Sequence, residues 1–247
     1  MCCSFCADKM VFGCYDNIGN EPKLTKRRFF TMHFNFKSLY QKENFLKRLI
    51  LVILAVILMG FCLSFLVLAD LGTDPCTLMN LAISKKLGMS LGNWQALFNC
   101  FLFIFVILFG VDQIGFGTLA NMFLVGYSLD FFTWLWVKTG IALYFDSAMV
   151  RYITFPFALL FFVFVAAVYM DVELGTSPYD AMPFIISKKL TKIPFRVIRM
   201  GYDFLVIFIG WLFGGKVQIA TILMALLLGP VISTIGKKLA PVLNGRA

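Results

Sequence analysis

The sequence predicts an all-α polytopic membrane protein, built as an internal tandem repeat. Each copy holds three long transmembrane helices and one short broken or re-entrant helix. Composition is the first reason: of 247 residues, 60% are apolar, 17% aromatic and only 14% charged. A water-soluble domain of this size cannot hide that much apolar surface. The second is a series of uncharged runs near the roughly 20 residues that a helix needs to span a bilayer. The third is self-similarity. Residues 70–87 align without a gap to residues 173–190, 103 positions later, and 10 of these 18 positions are identical. The same offset pairs Arg48 with Arg151, Phe101 with Phe204, Thr118 with Thr221 and Gly126 with Gly229. In an apolar chain, two copies of an interrupted segment are a transporter layout.

Residues 1–46 stand apart as a cytoplasmic N-terminal extension. Cys2, Cys3, Cys6 and Cys14 crowd its start, but the spacing lacks the two tidy pairs of a zinc site, so no metal is expected. No apolar stretch follows a basic start, which argues against a cleaved signal. Arg27-Arg28 can be encoded by a ribosome-binding sequence just upstream of Met32. Met32 is therefore the expected translation start, with residues 1–31 a mis-annotated start. The net charge is +9, yet nine of the 22 Lys and Arg residues precede the first span and most others flank spans. That is the positive-inside pattern of a membrane protein, and no nucleic-acid partner is expected.

Membrane repeat 1 covers residues 47–138 and membrane repeat 2 residues 150–241. The long runs of the first are Leu49 to Leu68, Trp94 to Val111, and Ile114 to Val137, the last broken by Asp130. Those of the second are Tyr152 to Met170, Ile193 to Phe213 with Arg196, Arg199 and Asp203, and Val217 to Ile235. They lack period-2 alternation, and lipid requires backbone polar groups to be satisfied within the segment, so they are helices. Trp134 and Trp136 are expected to anchor a membrane interface beside Asp130. Cys62, Cys76 and Cys100 are expected in the core without disulfides.

The short helices start at Pro75 and Pro178, good first-turn residues, and end at Lys-Lys pairs. Some 12 residues rise about 18 Å, short of a hydrocarbon core of about 30 Å. If these helices re-enter, there are six spans and the second copy is inverted. If they cross as tilted spans, there are eight crossings and the copies are parallel. The eight-crossing reading puts only Lys216 outside. The six-span reading also puts Lys85, Lys86, Lys138 and Arg151 there. Charge therefore favours parallel copies, and helix length favours inverted ones. Both readings place the N- and C-termini on the cytoplasmic side.

Enzyme signatures are nearly absent. The only histidine, His33, lies outside the membrane body. No phosphate loop, dinucleotide-binding glycine pattern or nucleophile elbow is present. The chain is expected to be no enzyme and to need no cofactor. The most specific signal is the pair of Leu-Gly-Thr-x-Pro turns. Gly and Pro force the chain out of helix and let a new helix begin, with free N–H groups and a positive partial charge at its start. Thr73, Asp74, Thr176, Ser177, Asp180 and Asn80 are the candidate residues for binding a small polar solute there. The plainer reading is that Asp74 and Ser177 cap short helices.

Asp203 falls near the bilayer centre, where a lone carboxylate costs roughly 2.5–3.5 kcal/mol. Arg199 lies one turn before it on the same face. Together they are a structural ion pair or a coupling site for a proton or ion. Asp70 and Glu173 precede the turns as loop acids. Asn99, Asn121 and Gln95 are expected to bond between helices, and Thr118 and Thr221 with Gly126 and Gly229 to form small-residue packing faces.

Leu-Gly-Thr-Asp-Pro at 71–75, Leu-Gly-Thr-Ser-Pro-Tyr-Asp at 174–180, and Gly-Phe-Gly-Thr at 115–118 with Gly126 and Asp130 resemble the bacterial YczE/YyaS/YitT family of integral membrane proteins. The resemblance covers about residues 47–238 and looks like the YczE branch, without the soluble C-terminal domain often carried by the YitT branch. It implies a multipass inner-membrane protein and carries over no active-site residue. The expected function is a permease for a small polar solute, its site at the two broken helices. The rival is a membrane accessory protein that regulates a partner. Lipid is the expected surround, and self-association stays open.

Overall fold

Apolar side chains point outward here as well as inward, which identifies the medium. The computed structural model describes residues 45–227, and every regular element in that range is helical. Helix α1 spans Phe45–Ala69, α2 Pro75–Leu87, α3 Leu91–Phe109 and α4 Phe116–Lys138; a single 3-10 turn, Val111–Gln113, precedes α4. After a helical turn at Ile141–Tyr144 come α5, Ala148–Asp171; α6, Pro178–Lys189; and α7, Phe195–Leu212. A further helix, α8, occupies 219–227 of the described residues. The outer stripe of α3 is Leu97, Phe101, Ile104 and Leu108, all more than half exposed. Their spacing of three and four residues makes one continuous apolar face, which suits lipid and not water. Among the described residues, α1, α3 and α5 are long and apolar enough to cross a membrane. The run from Ile193 contains α7 with its three charges. The run to Ile235 extends outside the described residues, as do the N-terminal cysteines, Met32, His33 and both tails.

Helix directions follow from end-to-end contacts. Phe45 and Phe116 rings meet with centroids 5.4 Å apart, and Trp136 Nε1 donates to Ser64 Oγ at 2.9 Å. The starts of α1 and α4 thus lie together and so do their ends: the two helices are parallel. Gly60 permits this approach, since a Cβ there would sit 2.5 Å from Ser128 Cβ. Trp136 is packed among Phe61, Phe65 and Phe132 near the end of α4; Trp134 stays exposed beside Lys138.

Helix α5 runs against α1. Arg48 Nη1 donates to Val172 O at 3.1 Å at one end, and Phe65 packs on Phe145 at the other. Arg151, the residue 103 positions after Arg48, donates to Phe145 O. Helix α3 is antiparallel to α4: Asn99 Nδ2 donates to Met122 O at 3.2 Å, and Asp130 Oδ2 accepts from Gly92 N at 2.7 Å. Asp130 is therefore a cap for α3 rather than a loose interfacial acid.

The short helices cross over between halves. α2 packs along α7 and α6 along α3. Gly210 of α7 lets Met79 approach, a Cβ there being 3.1 Å from Met79 Cα, and Lys86 Nζ lies 5.2 Å from the Phe213 ring. On the other side Ile185 abuts Gly110, and Lys189 Nζ lies 4.3 Å from the Phe109 ring. Each short helix thus runs parallel to the long helix of the opposite half.

Candidate functional site

Both breaks use the same backbone chemistry. Asp70 (φ 48°) and Gly72 (φ 128°) precede α2; Glu173 (φ 54°) and Gly175 (φ 102°) precede α6. These left-handed residues turn the chain without continuing the helix. Asp74 then caps α2, its Oδ2 accepting from Thr77 N at 3.1 Å. Ser177 caps α6, its Oγ accepting from Asp180 N at 3.0 Å. Pro75 and Pro178 follow as first helical residues, costing no hydrogen bond there.

A buried threonine seats each turn. Thr221 Oγ1 accepts from Thr73 N at 3.2 Å. Thr118 Oγ1 accepts from Gly115 N at 3.0 Å and donates to Gln113 O at 3.2 Å. Gln113 O also accepts from Thr176 N at 3.1 Å, and Thr176 Oγ1 bonds Gln113 Oε1 at 3.4 Å. Gly117 N donates to Leu174 O at 2.7 Å. A Cβ at Gly115 would fall 2.0 Å from Leu174 O, so only glycine fits. Thr118 and Thr221 are wholly buried and act as turn anchors more than as packing faces; Gly229 lies outside the described residues.

Between the turns sits an ion cluster. Arg199 Nη1 donates to Asp180 Oδ1 at 2.7 Å, and its Nε donates to Asp203 Oδ2 at 3.1 Å. Tyr179 Oη donates to Asp203 Oδ1 at 2.7 Å, and Ser177 Oγ donates to Asp180 Oδ2 at 2.7 Å. The guanidinium also lies 5.4 Å from the Tyr179 ring. The cluster holds four charge-assisted hydrogen bonds, the strong kind, and two of them, Arg199–Asp180 and Tyr179–Asp203, join α6 to α7. Asp203 is 5% exposed, a depth at which an unpaired charge would be costly.

Tyr179 packs with Met79, Cys76 and Tyr202 in one apolar group, so the first turns of α2 and α6 meet. Asp74 and Asp180 lie within electrostatic range of each other. Asp74 Oδ1 is buried and has no hydrogen-bond partner. Asn80 is wholly buried, donating to Cys76 Sγ at 3.3 Å and accepting from Trp94 Nε1 at 3.1 Å.

Of the residues singled out from sequence, Asp180, Ser177, Arg199 and Asp203 are brought together, with Asp74 close by. Thr73 and Thr176 bind the turns' seats through their amides, and Asn80 bonds between helices. Arg196 is exposed. Tyr179, Gln113 and Trp94 were not among the sequence candidates. Only Tyr179 carried a signal, its place between Pro178 and Asp180. At the C-terminal end of α6, Lys188 Nζ bonds both Asp112 oxygens, at 2.8 and 2.7 Å. Partial burial opposes ionisation of Asp112, but hydrogen bonds from Lys188 and Gln113 outweigh it and hold the carboxyl below its ordinary range. Among the described residues no three His, Cys, Asp or Glu side chains are grouped to hold a metal ion. Two grooves, of about 360 and 90 Å³, lie away from the cluster between α1 and α5 and are apolar.

The chain belongs to a family of unknown function, DUF6198, whose model matches residues 46–237. It is similar to the uncharacterized membrane protein YczE of Bacillus subtilis, 26% identical over 66% of this chain and 72% of that protein. It is also similar to the uncharacterized protein YyaS of Bacillus subtilis, 27% identical over 71% of this chain and 86% of that one. An uncharacterized protein of Haemophilus influenzae is 24% identical over 75% of this chain and 82% of its own length. No solved structure matches. The apolar helices and these relatives agree on a membrane location.

Proposed function

We propose that this protein is a permease for a small polar solute, built by duplication as two inverted copies, with its site where the two broken helices meet. The observation that carries the reading is the junction of the first turns of α2 and α6 beside the Asp180–Arg199–Asp203 cluster. Two capped helix N-termini beside one polar centre supply positive partial charge at membrane depth. Supporting the duplication, α1 and α5, and α2 and α6, each start 103 residues apart. Supporting inversion, α1 and α4 are parallel while α5 opposes α1, as three spans per copy require. With four crossings per copy, α1 and α4 would be antiparallel. We therefore adopt the six-span reading over the parallel one that charge favours, with both termini cytoplasmic and Lys86 outside. No catalytic or cofactor chemistry forms part of this reading.

The alternative, a non-transporting accessory protein that binds a partner, draws on two observations. Asp180 and Asp203 are satisfied by neighbouring side chains, and the grooves between α1 and α5 are apolar. The deciding experiment reconstitutes the full chain in proteoliposomes and measures uptake of a panel of labelled amines, amino acids and sugars. Flux that Ser177→Ala and Asp180→Asn reduce about tenfold supports transport. No flux for any probe, with a stoichiometric partner copurifying from membranes, supports the alternative. Labelling of Lys86→Cys by an impermeant reagent from outside the cell is expected; labelling only from inside would return the parallel arrangement.

A further inference from the structure

The three carboxylates at the centre, Asp74 and Asp203 buried and Asp180 partly exposed, are not equivalent. Asp203 is bound at both oxygens, by Tyr179 and Arg199, and Asp180 at both, by Arg199 and Ser177. Asp74 accepts from Thr77 N on Oδ2, with the Thr77 side chain also beside the carboxylate; its Oδ1 is enclosed with no hydrogen-bond partner, in a residue 9% exposed. A buried carboxylate oxygen without a donor is unfavourable unless a proton or cation meets it.

Charge points the same way. Arg199 offsets one of Asp180 and Asp203. The N-termini of α2 and α6 each present about half a positive charge, and together they offset the other. Summed over the site, one negative charge is left unbalanced, and Asp74 is the carboxylate with a free oxygen to carry it. Around it stand Cys76 on its own helix, Asp180 on α6, and beyond them Arg199, Tyr202 and Asp203 on α7. The described part of α8, which holds Thr73 through Thr221, has no titratable residue. None of these groups adds a cation beyond Arg199.

We propose that Asp74 is the coupling residue of this protein and takes up one unit of positive charge, a proton or a small monovalent cation, at Oδ1. The role moves from Asp203, whose oxygens are both tied, to the half of the molecule that contributes a free one. That this uptake couples to transport rests on the permease reading; the uptake itself does not.

The test uses the purified full chain in detergent and its thermal midpoint. One arm lowers the pH from mildly alkaline to mildly acidic in choline chloride. The other titrates sodium, potassium and methylammonium at alkaline pH. The wild-type midpoint is expected to rise by about 5 °C in one arm, and Asp74→Ser is expected to abolish that rise. Serine removes the charge but keeps the cap, as Ser177 does at the matching position; Asp74→Asn replaces it should the serine variant not fold. A rise in the pH arm alone identifies a proton, and a rise in the salt arm a cation. A flat wild-type response in both arms, or a rise that persists in the variant, overturns the proposal. Uptake dependent on Asp74 in a protein that moves no solute in proteoliposomes would instead sink the permease reading and leave this one standing.

Discussion

The two helix breaks share a backbone and differ in charge placement. Position by position at the 103-residue offset, Asp74 faces Ser177, Cys76 faces Tyr179 and Thr77 faces Asp180. Besides Asp70 and Glu173, each break therefore carries one carboxylate at the start of its short helix, at the cap in the first half and three residues later in the second. The second half adds Arg199 and Asp203, where the first has Ala96 and Cys100. So one break is embedded in a satisfied ion cluster, and the other presents a carboxylate with an unused oxygen. The backbone device is shared and the chemistry is not. Turn geometry is set by Gly, Pro and a cap, and tolerates changes beside it. Charge at membrane depth must be balanced as a set, so a change on one side demands a complementary arrangement on the other.

This comparison predicts unequal sensitivities. The largest concerns Arg199→Gln, which leaves Asp180 and Asp203 without a cation. Breaking a buried pair by removing one partner costs about 3–5 kcal/mol. The variant should show a strongly lowered thermal midpoint, and Asp203→Asn combined with it should recover part of the loss. Next comes Gly175→Ala against Gly72→Ala. A methyl at 175 would meet Gly115 N and Thr118 Oγ1 at 2.5 Å, whereas one at 72 would meet Ala220 Cβ and Thr221 N at 2.9 Å. Both positions are left-handed, a strain of about 1–3 kcal/mol each, so the alanine at 175 should be the more damaging in the same melting assay. Equal losses would show that the two turns are seated alike.

Tyr179→Phe removes a hydrogen bond to an ionised partner, worth about 1.5 kcal/mol. Cys76→Ala, at the matching position in the first half, should cost less when both are unfolded in parallel. The smallest effect belongs to Lys188 and Asp112, both about half exposed. The folded-state Asp112 carboxyl titrates below its unfolded value. Its contribution is therefore present above the unfolded value and lost as the pH falls through the folded one. Exposure limits it to below about 1 kcal/mol. Lys188→Gln should narrow slightly the difference in thermal midpoint between neutral and acidic pH.

The local features were legible in advance. Pro75 and Pro178 open α2 and α6 where the turns predict, because proline, glycine and a capping side chain act within a few residues. The Arg199–Asp203 contact was readable too, since residues four apart share a helix face. Asp180 with Arg199 and Tyr179 with Asp203 were not, as their spacing within a chain says nothing about two helices meeting. Thr118 and Thr221 were legible as small buried residues, but their partners in the opposite half were not. Direction was the hardest case. Counting lysines favoured eight crossings, whereas side-chain packing aligns α1 with α4.

By itself, then, the sequence determined the medium, the family and the position of both breaks, because hydropathy and turn chemistry are sums over neighbouring residues. Packing across the bundle set each short helix against the other half, and with it which carboxylates are satisfied and which oxygen is left over. Those outcomes depend on distances between residues up to 148 positions apart, and packing fixes such distances only once the whole bundle has closed.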